Sequence, residues 1–242
     1  MKIYDELISG TMELLAPLKP RIYTFDRNKA AVSENKNELI LAREAAFELG
    51  EGSLPSVAFT AITDSLELVP SDRILLIGKD LQELSASSPF ARITLLRTDN
   101  IEENGEQGAY AIIKNIELKK YSLFPSGYMM RASALSNREQ VRVSKSAVKK
   151  GLSFESIGNA FINKYKENGH VQAVTVIFIT LPNAPYDKLD SLADLSVSIT
   201  RALNHIIADI KMDCRACDWK PVCDEVDGMK EMHENISKNL KM

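Results

Sequence analysis

The sequence is poor in the residues that build disulfide frameworks and in the long apolar runs that build membrane spans. Among its 242 residues are three cysteines, three histidines and one tryptophan. A disulfide framework uses an even number of cysteines spread along a secreted chain, whereas these three fall close together near the C-terminus. No apolar stretch reaches the roughly 18 residues that a spanning helix needs. We therefore predict neither a disulfide-stapled domain nor a membrane protein.

The chain also lacks an excess of positive charge. Its formal net charge is -3, whereas a surface that binds nucleic acid usually shows a clear basic excess. The N-terminal segment carries Asp5, Glu6 and Glu13 and has no basic start of the kind found in a signal peptide. These features predict a cytoplasmic protein that binds no nucleic acid.

The proportions of hydrophobic and charged residues, 45% and 26%, are those of a globular protein, and the chain is long enough to bury a hydrophobic core. Hydrophobic residues at helical spacing, or runs with a capping serine, predict helices. These helices cover 3–17, 109–121, 153–166, 191–210 and 225–240. The first is a short amphipathic helix that we expect to dock on the main domain. The apolar residues of 109–121 fit neither the helical nor the strand period cleanly, and we favour a helix.

Short apolar runs bounded by Gly, Pro, Ser or Asp predict strands. These strands cover 38–42, 57–62, 73–77, 91–96, 128–132, 140–143 and 171–180. The last run is β-branched and predicts a buried central strand. The polar segments 21–37 and 98–108 are predicted to be a connector and an exposed loop.

Together these elements predict an α+β fold, with a mixed sheet flanked by helices and a short C-terminal cysteine-rich helical segment. We divide the chain into an N-terminal helix and connector (1–36), an α+β domain (37–211) and a cysteine-rich metal-binding loop with a C-terminal helix (212–242).

The three cysteines form the most specific pattern in the chain. Cys214 and Cys217 are spaced so that two thiolates on one tight turn reach a single metal centre, and Cys223 follows after five residues. Thiolates are soft ligands favoured by iron–sulfur clusters and by zinc. The spacing predicts a metal centre, and the alternative is a set of buried free cysteines.

The ligand count leaves the fourth position of this centre open. Structural zinc takes four protein ligands, and a [4Fe–4S] cluster usually takes four cysteines. His233 could supply the fourth ligand of zinc if the C-terminal helix folds back. Otherwise a small molecule or another chain supplies it, or the position is open.

The stretch 141–151, which reads VRVSKSAVKKG, and the helix that follows it to about Lys166 resemble a segment of acetyl-CoA synthase. That protein is the subunit of the carbon monoxide dehydrogenase/acetyl-CoA synthase complex that bears the nickel–iron–sulfur A-cluster. Weaker matches lie at 43–49, 77–81 and 174–180. The resemblance is to the middle domain of the family and covers roughly 37–180.

The resemblance implies a stand-alone domain of this kind without the A-cluster domain, so no A-cluster role is transferred to the cysteines. It favours an iron–sulfur cluster, [4Fe–4S], over zinc as the cofactor. The middle domain of the family contributes arginines that face coenzyme A, which implies that Arg142 and Lys145 bind a phosphate of the coenzyme A type. The alternative is that Arg142 lies on the exposed side of a strand and that Lys145 caps the following turn.

Three hypotheses of function stay open. The first is an accessory, carrier or assembly protein of anaerobic one-carbon and acetyl-CoA metabolism, with a protein partner from a one-carbon or corrinoid pathway. The second is an enzyme that acts on a coenzyme A thioester or uses an open cluster iron, although the sequence has no phosphate loop and no recognised nucleophile motif. The third is a scaffold domain with a structural zinc knot. Assembly into a homo-oligomer also stays open.

Overall fold

The computed structural model describes residues 2–31, 38–101, 105–133, 136–208, 221–222 and 226. The α-helices within these ranges are α1 (Asp5–Leu15), α2 (Gly105–Leu118), α3 (Lys145–Lys149), α4 (Phe154–Lys166) and α5 (Tyr186–Ala208). The strands are β1 (Arg21–Thr24), β2 (Ala45–Leu49), β3 (Ser56–Thr63), β4 (Arg73–Ile77), β5 (Phe90–Thr98), β6 (Tyr128–Ala132), β7 (Glu139–Ser144) and β8 (Val171–Ile179). The predicted α+β class is confirmed. None of the described helices is long and apolar enough to span a bilayer.

The larger sheet, sheet A, has five strands in the order β1-β4-β8-β5-β3. The pairs β4–β8 and β3–β5 are parallel, whereas β1–β4 and β5–β8 are antiparallel, so the sheet is mixed as predicted. Strand β8 lies at the centre and residues 173–179 are all buried. This confirms the buried central strand that the β-branched run indicated.

The smaller sheet, sheet B, is antiparallel with the order β2-β7-β6. It is joined to sheet A where β7 begins. The backbone N–H of Ala58 in β3 donates to the carbonyl of Asn137 at 2.6 Å, and the hydroxyl of Ser56 donates to the carbonyl of Glu139 at 2.6 Å. These bonds fix the start of β7, and with it the side chain of Glu139, against sheet A.

The helices complete the core around sheet A. Helix α4 packs on β4 and β8, helices α1 and α5 pack on β3, and α2 packs on α5. Helix α1 buries Leu7, Ile8 and Leu15, which confirms the predicted amphipathic helix that docks on the domain. The hydroxyl of Ser153 accepts the backbone N–H of Ser156 at 3.2 Å, which confirms the predicted cap of α4.

Two side-chain clusters dominate the interior. The rings of Phe90, Phe154 and Phe161 surround Phe178 of β8, with centroids 6.4, 4.6 and 6.1 Å from it. Beside them, Arg92 of β5 forms two hydrogen bonds of 2.7 and 2.6 Å to the carboxylate of Glu139, and both side chains are 1% exposed. The interior therefore holds an ion pair in contact with an aromatic cluster, since the Arg92 guanidinium also lies over the Phe161 ring.

Two predictions near the N-terminus were wrong, one of a connector and one of a strand. Residues 21–24 are the edge strand β1 rather than a connector. Only Tyr23 of the four is half-buried, so the segment is too short and too exposed to show the apolar alternation by which strands are recognised. Residues 38–42 are not a strand, because the backbone N–H and carbonyl of Ile40 bond to the side chains of Met129 and Arg142 rather than to a neighbouring strand. Strand β2 begins at Ala45. Residues 25–31 of the predicted connector form no strand and contain a short 3-10 turn at Arg27–Lys29, and residues 32–37 lie outside the described part of the chain.

The predicted exposed loop over 98–108 was wrong at both ends. Thr98 and Ile101 are buried, and α2 begins at Gly105. Helix α2 buries Ala109, Ile113 and Ile116, and this burial outweighs the low helix propensity of the glycines. The helix favoured for 109–121 is confirmed over most of its length.

The long C-terminal helix begins earlier than expected. Helix α5 starts at Tyr186 rather than near 191, and the carbonyl of Pro185 just before it accepts the backbone N–H of Leu189 at 3.0 Å. The predicted last residues of this helix, 209–210, and the helical tail 225–240 lie outside the described helices. The division into 1–36, 37–211 and 212–242 stays a prediction.

We expect Gly158→Ala in α4 to destabilise the protein by about 1–3 kcal/mol. A Cβ atom at this position would overlap Cγ1 of Ile74, a fully buried and stiff side chain of β4. Chemical denaturation measures the loss. The matched control is Gly10→Ala in α1, where a Cβ meets no atom within 4 Å and the helix propensity of alanine should raise stability by up to about 1 kcal/mol. Equal effects of the two substitutions would contradict the close packing of α4 on β4.

Candidate functional site

The predicted metal ligands Cys214, Cys217, Cys223 and His233 lie outside the described residues. The metal centre therefore stays a prediction. In the part of the chain that the structure describes, no group of three or more His, Cys, Asp or Glu side chains is arranged to hold a metal ion.

Three residues near the third cysteine are described, Pro221, Val222 and Val226, and the two valines pack on the domain. Val226 is 8% exposed and belongs to the hydrophobic core, and Val222 packs against that core. The backbone N–H of Val226 donates to the carbonyl of Val222 at 3.0 Å. The chain is thus anchored to the domain one residue before Cys223 and three residues after it. A donor set of three thiols fits an iron–sulfur cluster or zinc.

Arg142, one of the two predicted phosphate-binding residues, is held by the chain itself. It lies on β7 opposite Glu48 of β2, with a side chain 17% exposed. Its Nε and Nη2 lie 2.7 and 2.6 Å from Oε1 of Glu48, and its Nη1 donates to the carbonyl of Ile40 at 2.8 Å. A phosphate at this position would have to compete with the Glu48 carboxylate for the guanidinium.

Lys145, the second predicted phosphate-binding residue, is the first residue of α3 and is exposed. Its ammonium donates to the carbonyl of Arg43 at 3.0 Å. Glu48 also pairs with Arg131 at 2.7 Å, so two arginines share one carboxylate and this group of three carries one net positive charge. The outer face of sheet B can attract an anion, but a role of Arg142 and Lys145 toward a coenzyme A-type phosphate stays a prediction.

A cleft of about 350 Å³, which we call the α2–α5 cleft, lies elsewhere on the domain. Its floor is formed by β3 and α5, and its walls include Lys120 and Tyr121 from the turn after α2 and Arg201 from α5. Sequence reasoning missed this cleft, because its walls come from elements far apart in the chain and no local motif marks them.

Comparison with families of known proteins identifies the family of the domain. Residues 33–184 match the family of the CO dehydrogenase/acetyl-CoA synthase complex beta subunit. This range contains sheet B, every strand of sheet A except β1, and helices α2, α3 and α4. The match covers more than half of the chain, and the chain belongs to this family, which confirms the resemblance seen in the sequence. A search of curated proteins finds none that matches the chain.

Proposed function

We propose that this protein is an accessory protein of an acetyl-CoA synthase-type system in anaerobic one-carbon metabolism, and that Cys214, Cys217 and Cys223 bind an iron–sulfur cluster. The observation that carries the proposal is the packing of Val222 and Val226 on a domain of the acetyl-CoA synthase family. Because these two residues flank Cys223 in the sequence, a cluster bound there would lie close to the domain.

The cysteines are suited to this role by their chemistry and spacing. Each thiolate would supply one ligand, and the short separation from Cys214 to Cys217 suits binding to one centre. The fourth ligand would come from a partner chain, from a small molecule or from His233, the last being suited to zinc. When bound, such a cluster supplies electron transfer or a joint between proteins.

An accessory role is favoured over catalysis on a coenzyme A thioester by the contacts of the two predicted phosphate-binding residues. The guanidinium of Arg142 is engaged by Glu48 and by the carbonyl of Ile40. The ammonium of Lys145 donates to the carbonyl of Arg43. These contacts suit residues that hold sheet B, the N-terminus of α3 and the preceding chain together.

We expect the protein purified without oxygen to contain close to four irons per chain, a number set by the [4Fe–4S] type of cluster. Each of the variants Cys214→Ser, Cys217→Ser and Cys223→Ser should lose most of this iron, because a hydroxyl is a poor ligand for a soft metal centre. The matched control is Lys149→Ser on the exposed side of α3, which should keep full iron content. Metal analysis and the visible spectrum measure both.

The same measurement separates the other hypotheses. One zinc and no colour would replace the proposal with the structural zinc knot, and His233→Ala should then release the zinc. Full metal content in all three cysteine variants, or no metal in the wild type, would overturn the proposed centre.

A further inference from the structure

We propose that the α2–α5 cleft binds a small organic phosphate, with the phosphate held by Lys120 and Arg201 and an apolar or aromatic body against Tyr121 and Leu118. Among the described residues, neither Arg142 nor Lys145 lines this cleft, so the proposed site differs from the phosphate site predicted from the sequence. Its volume of about 350 Å³ falls within the range of small-molecule sites.

The floor of the cleft is polar and fixed in position. Thr60, Ser196 and Thr200 line it, and all three are buried. The hydroxyl of Ser196 donates to the carbonyl of Thr60 at 2.8 Å, which ties α5 to β3. The hydroxyls of Thr200 and Tyr4 lie 2.8 Å apart, which ties α5 to the N-terminal end of α1. Such a floor needs little reorganisation when a ligand binds, which lowers the cost of binding.

The acidic residues of the cleft already have partners inside it. Glu117 pairs with the ammonium of Lys114 at 3.0 Å and accepts a hydrogen bond from Thr200 at 2.7 Å. Asp194 accepts a hydrogen bond from the side-chain amide of Asn137 at 2.8 Å. Both carboxylates of the lining therefore already accept hydrogen bonds from neighbouring side chains.

Two cations of the cleft are not paired with any acidic side chain that the structure describes. Among the described residues, neither Lys120 nor Arg201 has a carboxylate within ion-pair distance. The ammonium of Lys120 lies 5.0 Å from the centre of the Tyr121 ring. Lysine and arginine are the usual partners of phosphate oxygens, arginine through its planar fork of donors and lysine as a compact charge.

An apolar surface borders these cations. Tyr121 and Leu118 both line the cleft, and they are 48% and 58% exposed. An aromatic ring on a ligand can pack against them while its charged end contacts the cations. The lining therefore fits a ligand with one anionic end and one flat apolar end better than it fits inorganic phosphate.

Phenyl phosphate is the simplest probe with this chemistry, and calorimetric titration of the full chain measures its binding. We expect Lys120→Ala and Arg201→Ala each to weaken binding about tenfold, the effect of losing one charge-assisted contact. Tyr121→Ala should weaken the binding of phenyl phosphate but not that of inorganic phosphate. The matched control is Arg43→Ala, which removes an exposed arginine outside the cleft and should leave binding unchanged.

Three outcomes would overturn the proposal. They are the absence of phenyl phosphate binding at millimolar concentration, equal weakening by Arg43→Ala, and inorganic phosphate binding as tightly as phenyl phosphate. Unchanged melting temperatures of the Lys120 and Arg201 variants show that a loss of binding is not a loss of fold. Each variant keeps all three cysteines, so failure here leaves the iron content of the protein, and the proposed function, unaffected.

Discussion

Replacing Glu139 by Gln is expected to lower the free energy of unfolding by about 3–5 kcal/mol. The substitution keeps the shape of the side chain but leaves the charge of Arg92 buried without its counter-ion. Burial alone would lower the pKa of Arg92, and the Glu139 carboxylate more than offsets this and raises it. Burial also raises the pKa of the adjacent Tyr128 well above its ordinary value, so the surroundings of the pair stabilise charge poorly. Chemical denaturation monitored by circular dichroism measures the loss.

Two comparisons separate the ion pair from other effects of the substitution. The double variant Arg92→Met/Glu139→Leu removes both charges and should recover most of the lost stability, because an apolar pair carries no desolvation cost. Glu83→Gln breaks an ion pair with Arg21 whose side chains are half exposed, and it should cost less than about 1 kcal/mol. A loss of stability in Glu139→Gln no larger than that in Glu83→Gln would show that water reaches the Arg92–Glu139 pair.

Phe178→Ala is expected to lower the free energy of unfolding by about 3–5 kcal/mol, because the burial of the ring is lost and a cavity is left behind. Phe178 lies on the central strand of sheet A, where surrounding elements have little freedom to move into the space. Three other phenylalanine rings contact it, and such aromatic pairs add about 0.5–1.5 kcal/mol beyond the buried area. Thermal and chemical unfolding measure the effect.

Phe178→Leu keeps most of the apolar volume and should cost less than half as much as Phe178→Ala. Tyr121→Ala, at a half-exposed aromatic residue, should change stability by less than about 0.5 kcal/mol. A similar loss of stability from the leucine and alanine variants would mean that the cluster depends on ring geometry rather than on filled space.

The parts of the fold that the sequence predicted well are those whose burial follows a short local period. Strand β8 is β-branched and buried on both faces, and α4 begins at a serine cap and repeats at helical spacing. Strand β1 was missed because its structure depends on pairing with β4, some 50 residues away in the chain, and all of its residues except Tyr23 are exposed. Local patterns cannot show an edge strand of this kind.

The same distinction applies to the candidate sites. The cysteine pattern was visible because its members are neighbours in the sequence, although its metal stays a prediction. The partner of Arg142 was not visible, because Glu48 comes from a strand 94 residues away. Arg92 and Glu139 are likewise brought together only when sheet B closes on sheet A. The walls of the α2–α5 cleft come from the turn after α2 and from α5, which are also far apart in the chain.

The central position of β8 also sets the order in which the protein can complete its main sheet during synthesis. Strands β4 and β5 both pair with β8, and Arg73 of β4 meets Thr175 of β8 across 102 residues. Until β8 has left the ribosome, β4 and β5 each present an unpaired, apolar edge. Contacts this distant in sequence form slowly, and exposed strand edges of this kind favour aggregation. Newly made chains are therefore most vulnerable to aggregation in the interval between the synthesis of β5 and that of β8.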